Sequence, residues 1–323
     1  MCNIYSYKNH IFAYIKVKYP FWNNQPVYHT YDYWRGFFTE PFYIYKYRPI
    51  KTKFCNFLNI KTYPYLEEDF GQQEKHKVLY LLQSNYISND RILFTYQKKD
   101  LDNLMTGHMD TPYISLYNEL SFEKNNGEVI RKEEPIGCTL SYPINVFFQS
   151  SQTHKEYSQC GLYYIDFLCI HREKEPIKKF RELFQTHEYN QRIKNPAITG
   201  SLIKREIDLF EGIIPLVQYI TYVYYLRNII FGSLPPHFHI IQINNENLDI
   251  LGDFLYTQTH LDLKASKKYY HFLGLTSMGN YIETIKQNTC YIFCLKHGEF
   301  NYGMYFFKDA KIQYEDIEGN TLH

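Results

Sequence analysis

The chain carries almost no net charge, with 35 Lys and Arg against 34 Asp and Glu in 323 residues. Such a balance builds no global field to hold a polyanion, so nucleic acid is not an expected partner and any anion site must be local. Cysteines are few, and the seven at positions 2, 55, 138, 160, 169, 290 and 294 form no spaced framework. Several fall inside apolar runs, where a free thiol packs as a small hydrophobe, and a reducing, cytoplasmic location is expected. The opening MCNIYSYKNHIFAYIKVKYP lacks the compact apolar core of a secretion signal, because Lys8, His10, Lys16 and Lys18 interrupt it. No membrane span is expected either. The most apolar window, GIIPLVQYITYVYYLRNIIFG (212–232), contains Pro215, Gln218 and Arg227, and its β-branched and aromatic content reads as buried strands. GxSxG, Walker, HExxH and dinucleotide-glycine motifs are missing, which removes the commonest hydrolase and nucleotide readings. No short-period repeat or heptad array is present.

What is there is a large apolar fraction, 45% of residues, enough for roughly two domains or one large α/β unit. The 34 Tyr and 24 Phe fit an aromatic-lined site or an A/T-rich genome equally well.

Periodicity gives an alternating order. HKVLYLLQSNYI (76–87) places Val78, Leu81 and Leu82 on one helical face. IGCTLSYPINVFF (136–148) reads as a strand, with Pro143 marking a bulge or an edge. YYIDFLCIHR (163–172) has the length and apolarity of a strand covered on both faces, and stops at His171 and Arg172. PIKKFRELFQTH (176–187) then starts a helix at Pro176, with Ile177, Phe180, Leu183 and Phe184 on one face. GSLIKREI and PLVQYITYVYYL (215–226) read as strands, and SLPPHFHI (233–240) as a linker. Beyond it, Leu248, Leu251 and Leu255 share a helical face, and CYIFCLKHGEFNYGMYFF (290–307) reads as two strands turning at His297-Gly298. The division predicted is a first lobe over 1–232 and a second, partial lobe over 237–323.

The turn from strand to helix after residue 170 draws chemical interest. A helix N-terminus presents unpaired N–H groups and partial positive charge, and Arg172, Lys174, Lys178 and Lys179 crowd it. Either a phosphate or pyrophosphate binds there, or this is a solvated basic helix start. His237-x-His239 has no third metal ligand at suitable spacing and reads as surface histidines; Cys290 and Cys294 read as core, and no metal is expected.

Four stretches, in order, resemble motifs of the N-myristoyltransferase (glycylpeptide N-tetradecanoyltransferase) family. YIDFLCIHR is similar to its EINFLCVHK strand, and YPFWNNQPV (19–27) to its YxFWxTQPV segment. LLQSNYISNDRILFTY (81–96) resembles LLNENYVEDDDNMFRFDY, and IGCTLSYPINV (136–146) resembles VGFISAIPANI. Beyond residue 171 the likeness is one of outline only. The resemblance implies an α/β (α+β) GNAT-like acyl-CoA N-acyltransferase fold: a mixed central sheet flanked by helices, in two GNAT-like lobes, the second incomplete. It implies no prosthetic group, acyl-CoA, usually myristoyl-CoA, as co-substrate, and N-terminal glycine peptides or proteins as acceptors for a monomeric enzyme.

Carried over residue by residue, the resemblance implies an oxyanion hole from the backbone N–H groups of Phe167 and Leu168. It implies CoA contacts from Tyr19, Phe21 and Trp22 and from the basic turn, and a peptide path along Tyr86, Asp90, Phe94 and Tyr96. The family takes the proton of the glycine amine with its C-terminal carboxylate, which maps onto His323; Asp166 and Asp90 are the alternatives. An α-amine has a pKa near ~8, so a positioned base gains roughly 100-fold. The chain departs from the pattern in adding Glu173 and Glu175 to the basic turn, in thinning an acidic run to Asp90, and in placing Asp166 where the motif has Asn. A member that binds acyl-CoA or fatty acid without turnover, or one kept as an interaction scaffold, is the alternative to an active transferase.

Overall fold

The computed structural model describes residues 18–30, 49–87, 92–125, 128–148, 158–171, 176–204, 212–218, 220, 222, 232–260, 272–315 and 321–322. Its centre is a long antiparallel hairpin, β3 (Tyr113–Asn125) and β4 (Glu128–Phe148), flanked by β5 (Ser158–Ile170). β1 (Ile60–Pro64) pairs antiparallel with β3, and β6 (Ser201–Ile203) parallel with β5, giving the order β1-β3-β4-β5-β6. The mixed sheet flanked by helices is the α/β architecture expected.

Strand alternation sends the sheet's side chains to two different environments. On one face Ile114, Leu116, Cys138, Leu140 and Cys169 pack against Val78, Leu81 and Leu82 of α1 (Gln72–Asn85). All three α1 residues are at most 1% exposed, as their periodicity predicts. α2 (Lys98–Met105) closes the same core with Leu101, Leu104 and Met105.

The other face meets α3 (Pro176–Lys194) along a seam that is largely polar. Lys179 Nζ donates to Glu119 at 2.7 Å, and Tyr117 OH to Glu182 at 2.7 Å. His187 Nδ1 lies 2.8 Å from the Ser115 hydroxyl, and Asn190 donates to Thr62 at 2.8 Å. Leu183 and Phe184 are buried and Phe180 half-buried as expected, but Ile177, in the first turn, is exposed. His187 is fully buried, and desolvation holds its pKa down to about 3.

The second half has its own small core. β7 (Phe238–Ile243), β9 (Cys290–His297) and β10 (Phe300–Lys308) form an antiparallel sheet. α4 (Leu248–His260) and α5 (Met278–Lys286) cover it, around Leu251, Ile285, Ile292 and Cys294. The hairpin turns where the sequence places it: Gly298, at φ +58°, opens a two-residue loop, a position that suits glycine. The expected linker is shorter than read, since β7 starts inside it at Phe238.

The two halves interlock. β8 (Phe272–Leu275) pairs with the far end of β4, leaving a gap beyond β3's last partner, Ser141, in which Pro143 sits at a local edge. β11 (Ile312–Glu315) pairs with β2 (Ile92–Phe94) and with β12 (Thr321–Leu322). Asn280 of α5 donates to the carbonyls of Asn103 and Thr106 at 2.9 and 2.8 Å. Gly107, at φ +75°, approaches so closely that a Cβ there would lie 2.5 Å from the Gly279 carbonyl.

One strand expectation fails. Of the 215–226 segment, residues 215–218, 220 and 222 are irregular chain, and Leu216, Val217, Ile220 and Tyr222 are exposed. Only Ile213, just before it, bridges to His29. Apolar, β-branched composition marks strand capacity, but no neighbouring strand is paired with these residues. No described helix is long and apolar enough to cross a membrane, and no metal-ligating cluster of three or more acidic, His or Cys residues occurs among the described residues.

Because the folded-state pKa of His187 lies below the ordinary value of 6.5, the unfolded chain binds the extra proton. The His187 contribution is therefore complete above pH 6.5 and is lost as pH falls toward 3. Urea unfolding should show a stability loss on the order of 2–3 kcal/mol between pH 7 and pH 4.5 from this group. The H187Q variant, which keeps a polar partner for Ser115 but cannot titrate, should show that much less acid sensitivity.

Candidate active site

The register of β5 against β4 breaks at one place. Leu140 opposes Asp166 and Cys138 opposes Cys169, so Phe167 and Leu168 together face Thr139. This is a β-bulge, and Phe167 adopts φ +51°, a conformation that costs a bulky residue roughly 1–3 kcal/mol. The extra residue also flips the alternation: Ile165 and Leu168 pack on the α3 side, Phe167 and Cys169 on the α1 side. Regular alternation would have put Ile165 and Cys169 on one face.

Neighbouring groups over-determine this conformation. The Thr139 hydroxyl donates to the Asp166 carbonyl at 3.2 Å, and the Phe167 amide donates to the Asp166 carboxylate at 2.8 Å. The Phe167 ring is caged by Tyr86, Phe94 and Tyr96, with centroids at 5.0, 5.8 and 5.1 Å. Phe94 and Tyr96 stack at 5.2 Å, 9° from parallel. Three residues predicted for the peptide path thus converge on one point and are buried there, at 7%, 3% and 3% exposure. Asp90 lies outside the described residues.

Cys138 and Cys169 meet across the strands just after the bulge, and the interaction with Cys169, with burial, raises the Cys138 thiol pKa. His171 continues the strand pairing by donating its amide to Ile136 at 2.7 Å. Gly137 lies here because a Cβ would sit 2.4 Å from the Ile170 side chain and 3.0 Å from the Cys169 carbonyl.

On the opposite face, Leu168 joins Phe21, Trp22, Ile165 and Phe184. A single 3-10 turn, Trp22–Asn24, drives Phe21 and Trp22 inward to 0% and 2% exposure. Phe21 meets Trp22 and Phe54 edge-on at 5.0 Å each, with Phe184 at 6.2 Å. Tyr19 stays half-buried beside Lys18, whose ammonium is 5.3 Å from the ring. The expected CoA-contacting segment therefore braces the helix that carries the basic turn. Within that turn, Lys178 is exposed, whereas Lys179 is buried against Glu119. Arg172 and Lys174 lie outside the described residues, as does His323. Thr321–Leu322 is in the small sheet with β2, whose Phe94 touches Phe167.

Electrostatically, Asp166 is the centre of the α1 side. Burial first, and then the charges of neighbours including Asp166, push the Tyr96 and Tyr142 hydroxyls far above the usual tyrosine range. Lys308, from the end of β10, is held below the ordinary lysine value by desolvation, and Asp166 partly offsets this. The β10–β11 connection brings it in, with Lys311 anchored to Asp100 at 3.4 Å and Asp309 at 2.7 Å. Thr95 donates its amide to the Lys311 carbonyl at 2.8 Å. Sequence reasoning did not find Thr139, Tyr142 or Lys308; Lys308 is 142 positions from Asp166, and no local pattern marks it. A cleft of about 160 Å³ is lined by Met109, Pro143, Gly161 and Ser277, and none of Asp166, Thr139, Tyr142 and Lys308 lines it.

Comparison with known proteins defines the fold class. No protein-family model matches the chain, and no curated protein sequence is similar to it. Among solved structures, a crystal structure of Saccharomyces cerevisiae N-myristoyltransferase with bound myristoyl-CoA superposes with a TM-score of 0.55 at 12% identity. The match covers 94% of this chain and 73% of that one. A structure of the same yeast enzyme with myristoyl-CoA and inhibitors gives a TM-score of 0.54 at 12% identity over 95% and 71% of the two chains. The chain therefore has an α/β fold built on a mixed sheet flanked by helices. Within that class its architecture is similar to that of N-myristoyltransferase.

Phe21 is a bracing residue on this geometry, so F21A should lower stability by about 3–5 kcal/mol. A reduced urea midpoint at unchanged slope is the expected result; unchanged stability would mean that the ring packs less firmly than its position implies.

Proposed function

We propose that the protein is an acyl-CoA-dependent N-acyltransferase that passes a myristoyl group from CoA to the amine of an N-terminal glycine. The observation that carries this reading is the bulge at Phe167–Leu168. It interrupts the strand at the two residues whose main-chain amides correspond to the oxyanion donors of the resembling family, and it does so inside the matching fold. Such donors, preorganised in a dry site, polarise the thioester carbonyl and hold the oxyanion that develops on attack; one is worth roughly 3–4 kcal/mol.

The remaining roles follow. Lys178, with Arg172 and Lys174, and the N-terminus of α3 bind the CoA pyrophosphate, an arrangement that favours anions. Tyr19 contacts CoA, while Phe21 and Trp22 fix the segment on α3. The buried Trp22 Nε1 finds no hydrogen-bond partner among the described residues, which supports a polar acceptor supplied at this segment. Tyr86, Phe94 and Tyr96 hold Phe167 and border the acceptor's path. A chain of ~13 buried carbons at ~0.8 kcal/mol each gives on the order of 10 kcal/mol before ordering costs, which suits a C14 donor.

A second reading, retention of acyl-CoA without turnover, is favoured by one feature: the Asp166 carboxylate already accepts the Phe167 amide. Purified protein incubated with myristoyl-CoA and a glycine-initiated octapeptide separates the two. The expected outcome by mass spectrometry is a peptide heavier by one tetradecanoyl unit. Unreacted peptide with retained thioester supports binding alone, and no retention removes both. Replacing Leu168 with its α-hydroxy analogue turns that amide N–H into an ester oxygen and should cut turnover ~100- to 1,000-fold while leaving thioester retention intact.

A further inference from the structure

We infer that Asp166 is the base that takes the proton from the incoming amine, and that the thioester itself frees it for this task. The inference rests on the acyl-transfer reading above. Phe167 has one amide N–H, and the Asp166 carboxylate accepts it at 2.8 Å. A thioester oxygen polarised by that amide must occupy the same space, about 2.7–3.1 Å from the nitrogen. The two acceptors exclude each other, so productive binding of the carbonyl turns the carboxylate away.

Two consequences follow from elementary chemistry. A carboxylate that loses a hydrogen bond from N–H loses a stabiliser of its charged form, and its affinity for a proton rises. The displaced group also stays tethered one residue from the carbonyl carbon, beside the line along which an amine must approach. The bulge sets this up, because it places Asp166 and Phe167, consecutive in sequence, toward the same α1 side. The groups facing Asp166 include the Tyr96 hydroxyl from the β2–α2 connection, Tyr142 from β4 and Lys308 from β10. Asp100 and Lys204 in turn face Lys308. Of these, Lys308 carries the charge opposite to that of the carboxylate and interacts with it favourably.

The step balances as follows. The glycine ammonium gives one proton to Asp166, and the neutral nitrogen forms a bond to the thioester carbon. The C=O pair moves onto oxygen, where the amides of Phe167 and Leu168 hold it. Collapse expels the CoA thiolate, which takes the second proton from nitrogen, and Asp166 returns the first to water. The products are the amide, CoA thiol and one proton.

The D166N variant tests this, because the amide oxygen still accepts the Phe167 N–H but cannot carry the proton. Wild type and D166N are compared with myristoyl-CoA and two octapeptides. One begins with glycine and the other with an aminooxyacetyl group, whose nitrogen is already neutral at pH 7. Expected for D166N is retained myristoyl-CoA binding, a loss of about 100-fold or more with the glycine peptide at pH 7, and recovery to within about 10-fold at pH 9. The aminooxy peptide should be acylated at close to the wild-type rate. Equal losses with both peptides at both pH values would make Asp166 structural, and an unaffected D166N would remove it from catalysis; either overturns the inference alone. A wild type that retains the thioester yet acylates neither peptide overturns the transferase reading and this assignment with it.

Discussion

One extra residue in β5, opposite Thr139, is the constraint around which the rest of the structure is arranged. Without it, Asp166 and Phe167 would point to opposite faces and Leu168 could not join the Phe21–Trp22 cluster. Holding a phenylalanine at positive φ is unfavourable by itself, yet favourable aromatic ring pairs contribute about 0.5–1.5 kcal/mol each beyond simple burial, and the contacts made here are tilted ones. Three such contacts to Tyr86, Phe94 and Tyr96 therefore offset the strain. The Thr139 hydroxyl supplies a partner for the carbonyl that the register break displaces. Strain of this kind persists only where the surroundings enforce it.

The cage around Phe167 is not completed by the first half of the chain. β2, which contributes Phe94, is a three-residue strand that finds its pairing partner in β11, more than 200 residues later. Thr95 and Asp100 are fixed by Lys311 from the same late segment, and α5 docks onto the end of α2 through Asn280. Small residues at Gly107 and Gly279 let the backbones approach closely enough for those bonds to form. Packing of the second half is thus coupled directly to the geometry of the bulge. The lobes predicted from the sequence share sheets rather than standing apart, since β8 extends the central sheet.

Elements with strong local signals were legible. The apolar stripe of α1, the strand β5 and the Gly298 turn read correctly, because each depends on near neighbours in sequence. The α3 seam was less so: Lys179, Glu182, Thr186, His187 and Asn190 sit where periodicity expects apolar packing or solvent, and find hydrogen-bond partners on β1, β3 and the loop before β1. Lys179, counted among the basic residues of the turn, is committed to Glu119, a pairing no spacing reveals. The 212–232 window erred in the reverse direction, its apolar content promising a burial that its described residues do not have.

By itself the sequence determined α1, the later part of β4, the apolar strand β5 ahead of the basic start of α3, the helix α4 and the β9–β10 hairpin, together with motifs that resemble those of N-myristoyltransferases. These are properties of local pattern, set by side-chain period, turn residues and short-range charge. Only the tertiary structure decided that Phe167 and Leu168 sit on a bulge, that Asp166 reaches the Phe167 amide, and that Lys308 comes to face it. A register break is a relation between two strands, and an electrostatic neighbourhood is a relation among residues far apart in the chain. Neither exists until the sheet has formed.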